Sequence, residues 1–282
     1  MRSATAWLVG VSIGVTACGG GNSTPTQPST PPAPTVTGLV IGGGSGPLRT
    51  GQSVTLNATV NLSNNTTQAA TSPAWTSSNT TVASVDNAGV VTANNQGSAT
   101  ISVSAQGQTA SMPVTVWQDY QGTWIGQYRI RVCTATGDFS AIGWCSSDFF
   151  NVGKLLPVRV IFTQTSSPAV NGTIELGTIV GNLRGNVFDN RHFVGSGTAS
   201  FSSEGIVLTF TIGTFDALAS GTQMAGSFVW NVGATGAAGQ GYNELDLVGV
   251  TRTSGLTTSV RRTAPSVRTI PELFDAMMTT PE

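Results

Sequence analysis

Ser53-Val-Thr-Leu-Asn-Ala-Thr-Val60 alternates polar and apolar residues without a break. Successive side chains of an extended strand point to opposite faces. Val54, Leu56, Ala58 and Val60 therefore share one face of a half-buried strand. The same period returns downstream: Ala99, Ile101, Val103 and Ala105, then Met112, Val114 and Val116. Asn64-Asn65, Asp86-Asn87 and Asn94-Asn95-Gln96-Gly97 separate the runs with turn chemistry. Short strands at this spacing predict a β-sandwich over residues 36–116.

Five segments of this region carry a family pattern. They are Gly51-Gln-Ser-Val-Thr-Leu-Asn-Ala-Thr-Val60, Trp75-Thr-Ser-Ser-Asn79, Val82-Ala-Ser-Val-Asp86, Gly89-Val-Val-Thr-Ala93 and Gly97-Ser-Ala-Thr-Ile101. In order and spacing they resemble the bacterial group 2 immunoglobulin-like family. The resemblance implies a sandwich used as a spacer or adhesive module in surface proteins, without a catalytic site. Trp75 reads either as a core residue between sheets or as a sugar-stacking residue, and the core is the ordinary place for it. The only charges between residues 36 and 116 are Arg49 and Asp86, so strong electrostatic recognition by this domain is not expected.

Residues 117–252 read as a second all-β domain. Eight strand-like runs cover 122–132, 157–165, 169–176, 178–188, 192–201, 205–213, 222–232 and 242–251. Most connections are short, and an antiparallel meander of about eight strands closes into an up-and-down barrel. Trp124, Tyr128, Ile130 and Val132 fall on one face of the first run, with Gln127, Arg129 and Arg131 on the other. Gly181, Gly185, Gly195, Gly197 and Gly226 share the apolar faces of their strands, where they leave room for neighbouring aromatics. Glu244 and Asp246 face outward on the last run, opposite the arginines of the first. Opposite charges there would favour pairing of the two ends of the sheet.

Gly122-Thr-Trp-Ile-Gly-Gln-Tyr128, with its Gly-x-Trp on the first strand, resembles the calycin barrels (lipocalin-like and avidin-like). The resemblance implies a barrel and carries over no ligand. It also places the long connection, residues 133–156, over the barrel mouth. That loop holds Trp144, Phe149 and Phe150. Its aromatics either plug the barrel or line a ligand cavity that continues to Trp124 and Tyr128.

The amino terminus reads as a targeting segment. Arg2 precedes an apolar stretch, residues 6–15, too short to span a bilayer. It ends in Val15-Thr16-Ala17-Cys18, which resembles the lipobox of bacterial lipoproteins. Residues 1–17 would be the signal peptide, and Cys18 would carry the lipid. Multiple acyl chains at ~0.8 kcal/mol per buried CH₂ anchor stably. Gly19 follows with no acidic retention signal, which suits an outer membrane or cell surface. Residues 18–35 hold five prolines and form a tether. Extended, the tether would reach roughly 50 Å. Residues 253–282 are a polar tail with one short helical candidate, 271–278.

Export leaves Cys133 and Cys145 in an oxidising compartment, where they read as a disulfide. The single His192 cannot complete a zinc site with them without further carboxylates. His192 lies in a turn, and no Gly-x-Ser-x-Gly elbow is present. Neither a phosphate loop nor a converging carboxylate pair is legible. Charged residues make up 9% of the chain and the net charge is −1, so nucleic acid is not an expected partner. The sequence thus predicts a non-catalytic envelope lipoprotein without cofactors. In one form the barrel binds an apolar or amphipathic ligand. In the other it is filled by its own side chains and contacts protein or cell-surface polysaccharide.

Overall fold

The computed structural model describes residues 31–44, 46–147, 150–203 and 206–253. The segment read as a signal peptide, Cys18, most of the segment read as a tether, Phe149, Glu204 and the tail beyond Thr253 lie outside the described residues. No helix among those described is long and apolar enough to cross a membrane.

The alternating runs form the strands that their period demands. In the first domain these are β1 (Val36–Gly43), β2 (Leu48–Arg49), β3 (Ser53–Leu62), β4 (Thr67–Ala69), β5 (Ala74–Ser77), β6 (Ala83–Val85), β7 (Val90–Ala93), β8 (Gly97–Ala105) and β9 (Gln108–Trp117). One sheet has the order β1-β3-β7-β6, with β4 paired to β3, and the facing sheet has the order β2-β9-β8-β5. Leu56 and Ala58 of β3 meet Ile101, Val103 and Val114 of the other sheet in a single buried core, and Val60 is buried on the same strand. Burial of each large apolar side chain contributes about 1.5–3 kcal/mol. Trp75 joins this core. Gly89 lies beside its ring at φ +81°, and a Cβ there would sit 2.6 Å from the Leu56 carbonyl oxygen and 3.2 Å from the indole. Only glycine fits that turn without displacing the tryptophan.

The second domain comprises β10 (Gly122–Ala135), α1 (Asp138–Ala141), a 3-10 turn (Trp144–Ser146), β11 (Leu155–Gln164), β12 (Ala169–Leu176), β13 (Ile179–Val187), β14 (His192–Ser203), β15 (Ile206–Ser220), β16 (Gln223–Ala234) and β17 (Gly241–Thr253). β10 to β17 form a closed barrel in chain order. Its seam runs antiparallel from Thr123 opposite Thr253 to Ala135 opposite Gly241. Across it Arg131 pairs with Glu244 at 2.7 Å and Arg129 with Asp246 at 3.5 Å. The apolar faces point inward. An outer-membrane barrel has the reverse pattern, apolar outside and polar within.

Most strand ends move by one to three residues from the sequence reading, and two boundaries differ in a way that matters. Trp117 ends β9 in the sandwich and does not open the second domain. The run read as 205–213 continues to Ser220. A register shift between Ile212 and Thr214 puts Phe215, Ala217 and Ala219 on the inner face after Leu208, Phe210 and Ile212. Such a bulge breaks the period of two, so the strand looks finished where it only changes phase. The long connection contains α1 and the 3-10 turn. Inside the barrel, a Cβ on Gly185 or Gly195 would come within 2.7 or 2.6 Å of the Phe193 ring.

Cys133 and Cys145 form a disulfide with a Cα–Cα distance of 5.6 Å, tying the 3-10 turn to the end of β10. For a loop of this length, removal through Cys133→Ser with Cys145→Ser should cost ~3 kcal/mol. In calorimetry that is a fall in Tm of roughly 6–12 °C for a unit of this size. Unchanged melting would show that the loop is held by its aromatics alone.

Candidate functional site

The barrel lumen was the site the sequence pointed to, and its two ends are built differently. At the loop end, α1 buries Phe139 and the 3-10 turn buries Trp144. Trp144 stacks on Phe150 with centroids 3.9 Å apart. Phe150 in turn meets Trp230 at 6.3 Å. The indole N–H groups of Trp144 and Trp230 both donate to Asn243 Oδ1, at 3.2 and 2.7 Å. Asn243 is fully buried, and its Nδ2 has no hydrogen-bond partner among the described residues.

At the sandwich end the plug comes from the connector between the domains. Tyr120 enters the barrel, and its phenol donates to the Ala217 carbonyl at 2.6 Å. The amides of Phe193 and Ala219 donate to the same oxygen at 3.0 and 3.2 Å. Tyr120 meets Phe162 edge-on at 6.0 Å. From there ring contacts run through Phe193, Phe215 and Phe228 to Trp230, at centroid separations of 4.9, 6.0, 5.5 and 5.9 Å. Tyr128 packs against the middle of this series, 6.0 Å from Phe228 and 5.9 Å from Trp230. An unbroken series of rings therefore spans the lumen from Tyr120 to Phe139.

Of the candidate ligand residues, the structure brings Trp144, Phe150 and Tyr128 together around Trp230. Trp124 stands at the other end. Its Nε1 donates to the Tyr120 carbonyl at 2.8 Å, and the Arg252 guanidinium lies 4.6 Å from its ring centroid.

Burial pushes the Tyr120 phenol up to about 12, and burial pushes Tyr128 higher still. A raised folded pKa means that this stability is complete below the unfolded value of about 10 and is lost as pH rises toward 12. Urea unfolding should therefore show a plateau to pH ~10, then a fall of roughly 2 kcal/mol by pH 12 from Tyr120 alone. A flat profile to pH 12 would place these phenols in water.

Sequence reasoning missed the connector. Gln118-Asp-Tyr-Gln121 reads as a polar link, yet it is bonded to both domains. Asp119 pairs with Arg49 of the sandwich and Arg252 of the barrel, both at 2.7 Å. Gln164 accepts from the Tyr120 amide at 2.8 Å and donates to the Gln118 carbonyl at 3.1 Å. Gln96 of the sandwich donates to the Phe188 carbonyl of the barrel at 2.6 Å. The available signal was scarcity. In a chain this poor in charge, a lone arginine beside a sandwich strand needs a counter-ion from elsewhere.

His192 Nδ1 lies 2.5 Å from Asp216 Oδ1 on the barrel wall. Among the described residues no hydroxyl hydrogen-bonds its other ring nitrogen, and no group of three or more metal-ligating side chains occurs.

Residues 47–116 match the model of the bacterial Ig-like domain (group 2). A search of the curated proteins finds no match. Among solved structures the chain is similar to domains 5–6 of the S-layer protein SbsC, at 17% identity, covering 75% of this chain and 98% of that one, with a TM-score of 0.27. It is also similar to domains 4–9 of the surface layer protein SbsC, at 17% identity, covering 75% and 31%, with a TM-score of 0.28. At such scores the likeness says nothing about function.

Proposed function

We propose that this protein is a lipid-anchored, non-catalytic module of the bacterial surface, in which an Ig-like spacer holds out a barrel filled by its own side chains. The observation that carries this reading is the unbroken series of rings through the lumen. A barrel packed in this way offers its outer wall to partners. The Ig-like domain supports a surface setting, since the family resemblance implies spacers and adhesive modules. The bonded connector supports a stiff display unit.

The anchor is tested by expressing the full chain in a lipoprotein-processing bacterium. Wild type should sediment with membranes and be cut by protease added to intact cells. Cys18→Ser should move it to the soluble fraction. A variant that still pellets, or a wild type protected in intact cells, would refute surface anchoring through Cys18.

One observation favours a second reading. The unpaired Nδ2 of Asn243 is a buried donor at the closed end of the lumen, and burying such a group unsatisfied costs about 1–3 kcal/mol. A small, mostly apolar ligand with one acceptor, seated under the Trp144 turn, would satisfy it. Native mass spectrometry of protein extracted from membranes distinguishes the two. A stoichiometric adduct lost in Asn243→Leu supports the ligand, and a bare mass supports the filled barrel.

A further inference from the structure

The outer wall of the barrel is divided by charge. Over the seam and its neighbours the charges are matched within the wall itself. Arg131 and Arg129 meet Glu244 and Asp246, and Arg159 meets Glu175 at 2.6 Å. Away from the His192–Asp216 contact, the wall made by β13, β14 and β15 is built otherwise. Asn182, Thr198 and Thr211 stand in one cross-strand row, Ser200 and Thr209 in the next, and Arg184 and Ser196 on the other side. All of these side chains are exposed. Strands lie about 4.8 Å apart and outward residues repeat about every 7 Å along them. The result is a two-dimensional lattice of hydroxyl and amide groups.

This lattice is not flat. Register shifts between Gly195 and Gly197 and between Ile212 and Thr214 bend the adjoining strands. Gly213 also faces outward without a side chain. A trough of about 600 Å³ results, and Arg184 is the only charged residue among those that line it. Asn182 Oδ1 accepts from the Thr198 amide at 3.0 Å. The hydroxyls of Ser196, Ser200, Thr209 and Thr211 take no side-chain hydrogen bond among the described residues.

The composition of the trough selects its partner. Nucleic acid would need several arginines or lysines. The centre of a protein interface is enriched in aromatics and methionine, and none lies here. A lipid surface would need an apolar stripe, and Val180 is the one exposed large apolar residue on these three strands. An uncharged polymer dense in hydroxyls needs what the trough offers, donors and acceptors at regular spacing without charge to desolvate. We infer that the trough across β13–β15 is the contact surface for a neutral polysaccharide chain. The inference rests on the adhesive reading above and names its partner class.

The test is affinity electrophoresis of the full chain through gels containing dextran, galactomannan or xyloglucan, with polygalacturonate as the acidic counterpart. Wild type should be retarded in at least one neutral gel. Thr198→Val with Thr211→Val keeps strand propensity and shape while removing two hydroxyls. It should weaken the retardation at least tenfold in apparent affinity with barrel melting unchanged. Ser98→Glu on the sandwich should leave retardation as it was. Three outcomes overturn the inference: no retardation in any neutral gel, retardation that survives the double variant, or retardation only in polygalacturonate that disappears in Arg184→Ala. Surface anchoring is measured separately by the Cys18→Ser fractionation. A failure here with that result intact removes the polysaccharide and leaves the display module.

Discussion

Asp119→Ala should destabilise the protein by about 2–4 kcal/mol, toward the lower end of what breaking a buried ion pair costs. The carboxylate sits between two guanidiniums, with Arg49 Nη1 on one oxygen and Arg252 Nη1 on the other. These three side chains are 16–24% exposed, so the loss falls somewhat short of the fully buried case. Removing Asp119 leaves two part-buried cations facing each other, and the Nε atoms of both already lack partners among the described residues. The orphaned charge, more than the lost attraction, sets the size of the effect. It follows that Arg49→Met introduced with Asp119→Ala should recover part of the loss. Urea unfolding of the single and double variants measures both. A single variant within 0.5 kcal/mol of wild type, on the scale of ordinary surface substitutions, would show that the clamp is solvated and structurally idle.

Trp230→Ala should cost about 3–5 kcal/mol, the range for deleting a large aromatic side chain from a packed core. Trp230 is fully buried and stands where the ring series forks, 5.3 Å from Phe210 and 5.9 Å from Phe228. The variant would hold an apolar void of indole size between Tyr128, Phe150 and Phe210. Added indole should then raise its Tm in a concentration-dependent way and leave wild type unaffected, because a ligand stabilises only the state that binds it. Trp230→Phe should retain most of the stability. That keeps the experiment readable if the alanine variant does not fold. Indole that stabilised wild type equally would mean that the native lumen already has room for a guest.

Much of this architecture is legible in residue order because each strand announces itself locally. The run 169–176 is β12 as found, since Val170, Ile174 and Leu176 alternate with polar neighbours and turns bound both ends. The opposed charges of β10 and β17 allowed closure itself to be read. What was not legible is non-local or out of phase. The bulge in β15 hides half a strand. Tyr120 looks like a linker residue because the groups that hold its phenol lie 71 to 99 positions away along the chain. Trp144, Phe149 and Phe150 read as loop aromatics that either plug the barrel or bind, and of these Trp144 and Phe150 are described. Their stacking on each other and the edge-on contact of Phe150 with Trp230 are set by the fold of the whole barrel, which no window of sequence contains.

Every strand of the barrel that begins beside the sandwich is answered by one that returns to it. The first and last strands therefore leave from the same end, with Thr123 opposite Thr253. A pull between the sandwich and the end of β17 would load the seam as a zipper, opening it one hydrogen bond at a time. Asp119 stands at the first tooth. Arg252 belongs to one edge of that zipper, Asp119 leads into the other, and Arg49 ties both to the sandwich. The ion cluster, chemically a part-buried carboxylate between two guanidiniums, is mechanically a rivet. It sits where tearing would start, so traction between the sandwich and the end of β17 meets these ion pairs before it meets the seam.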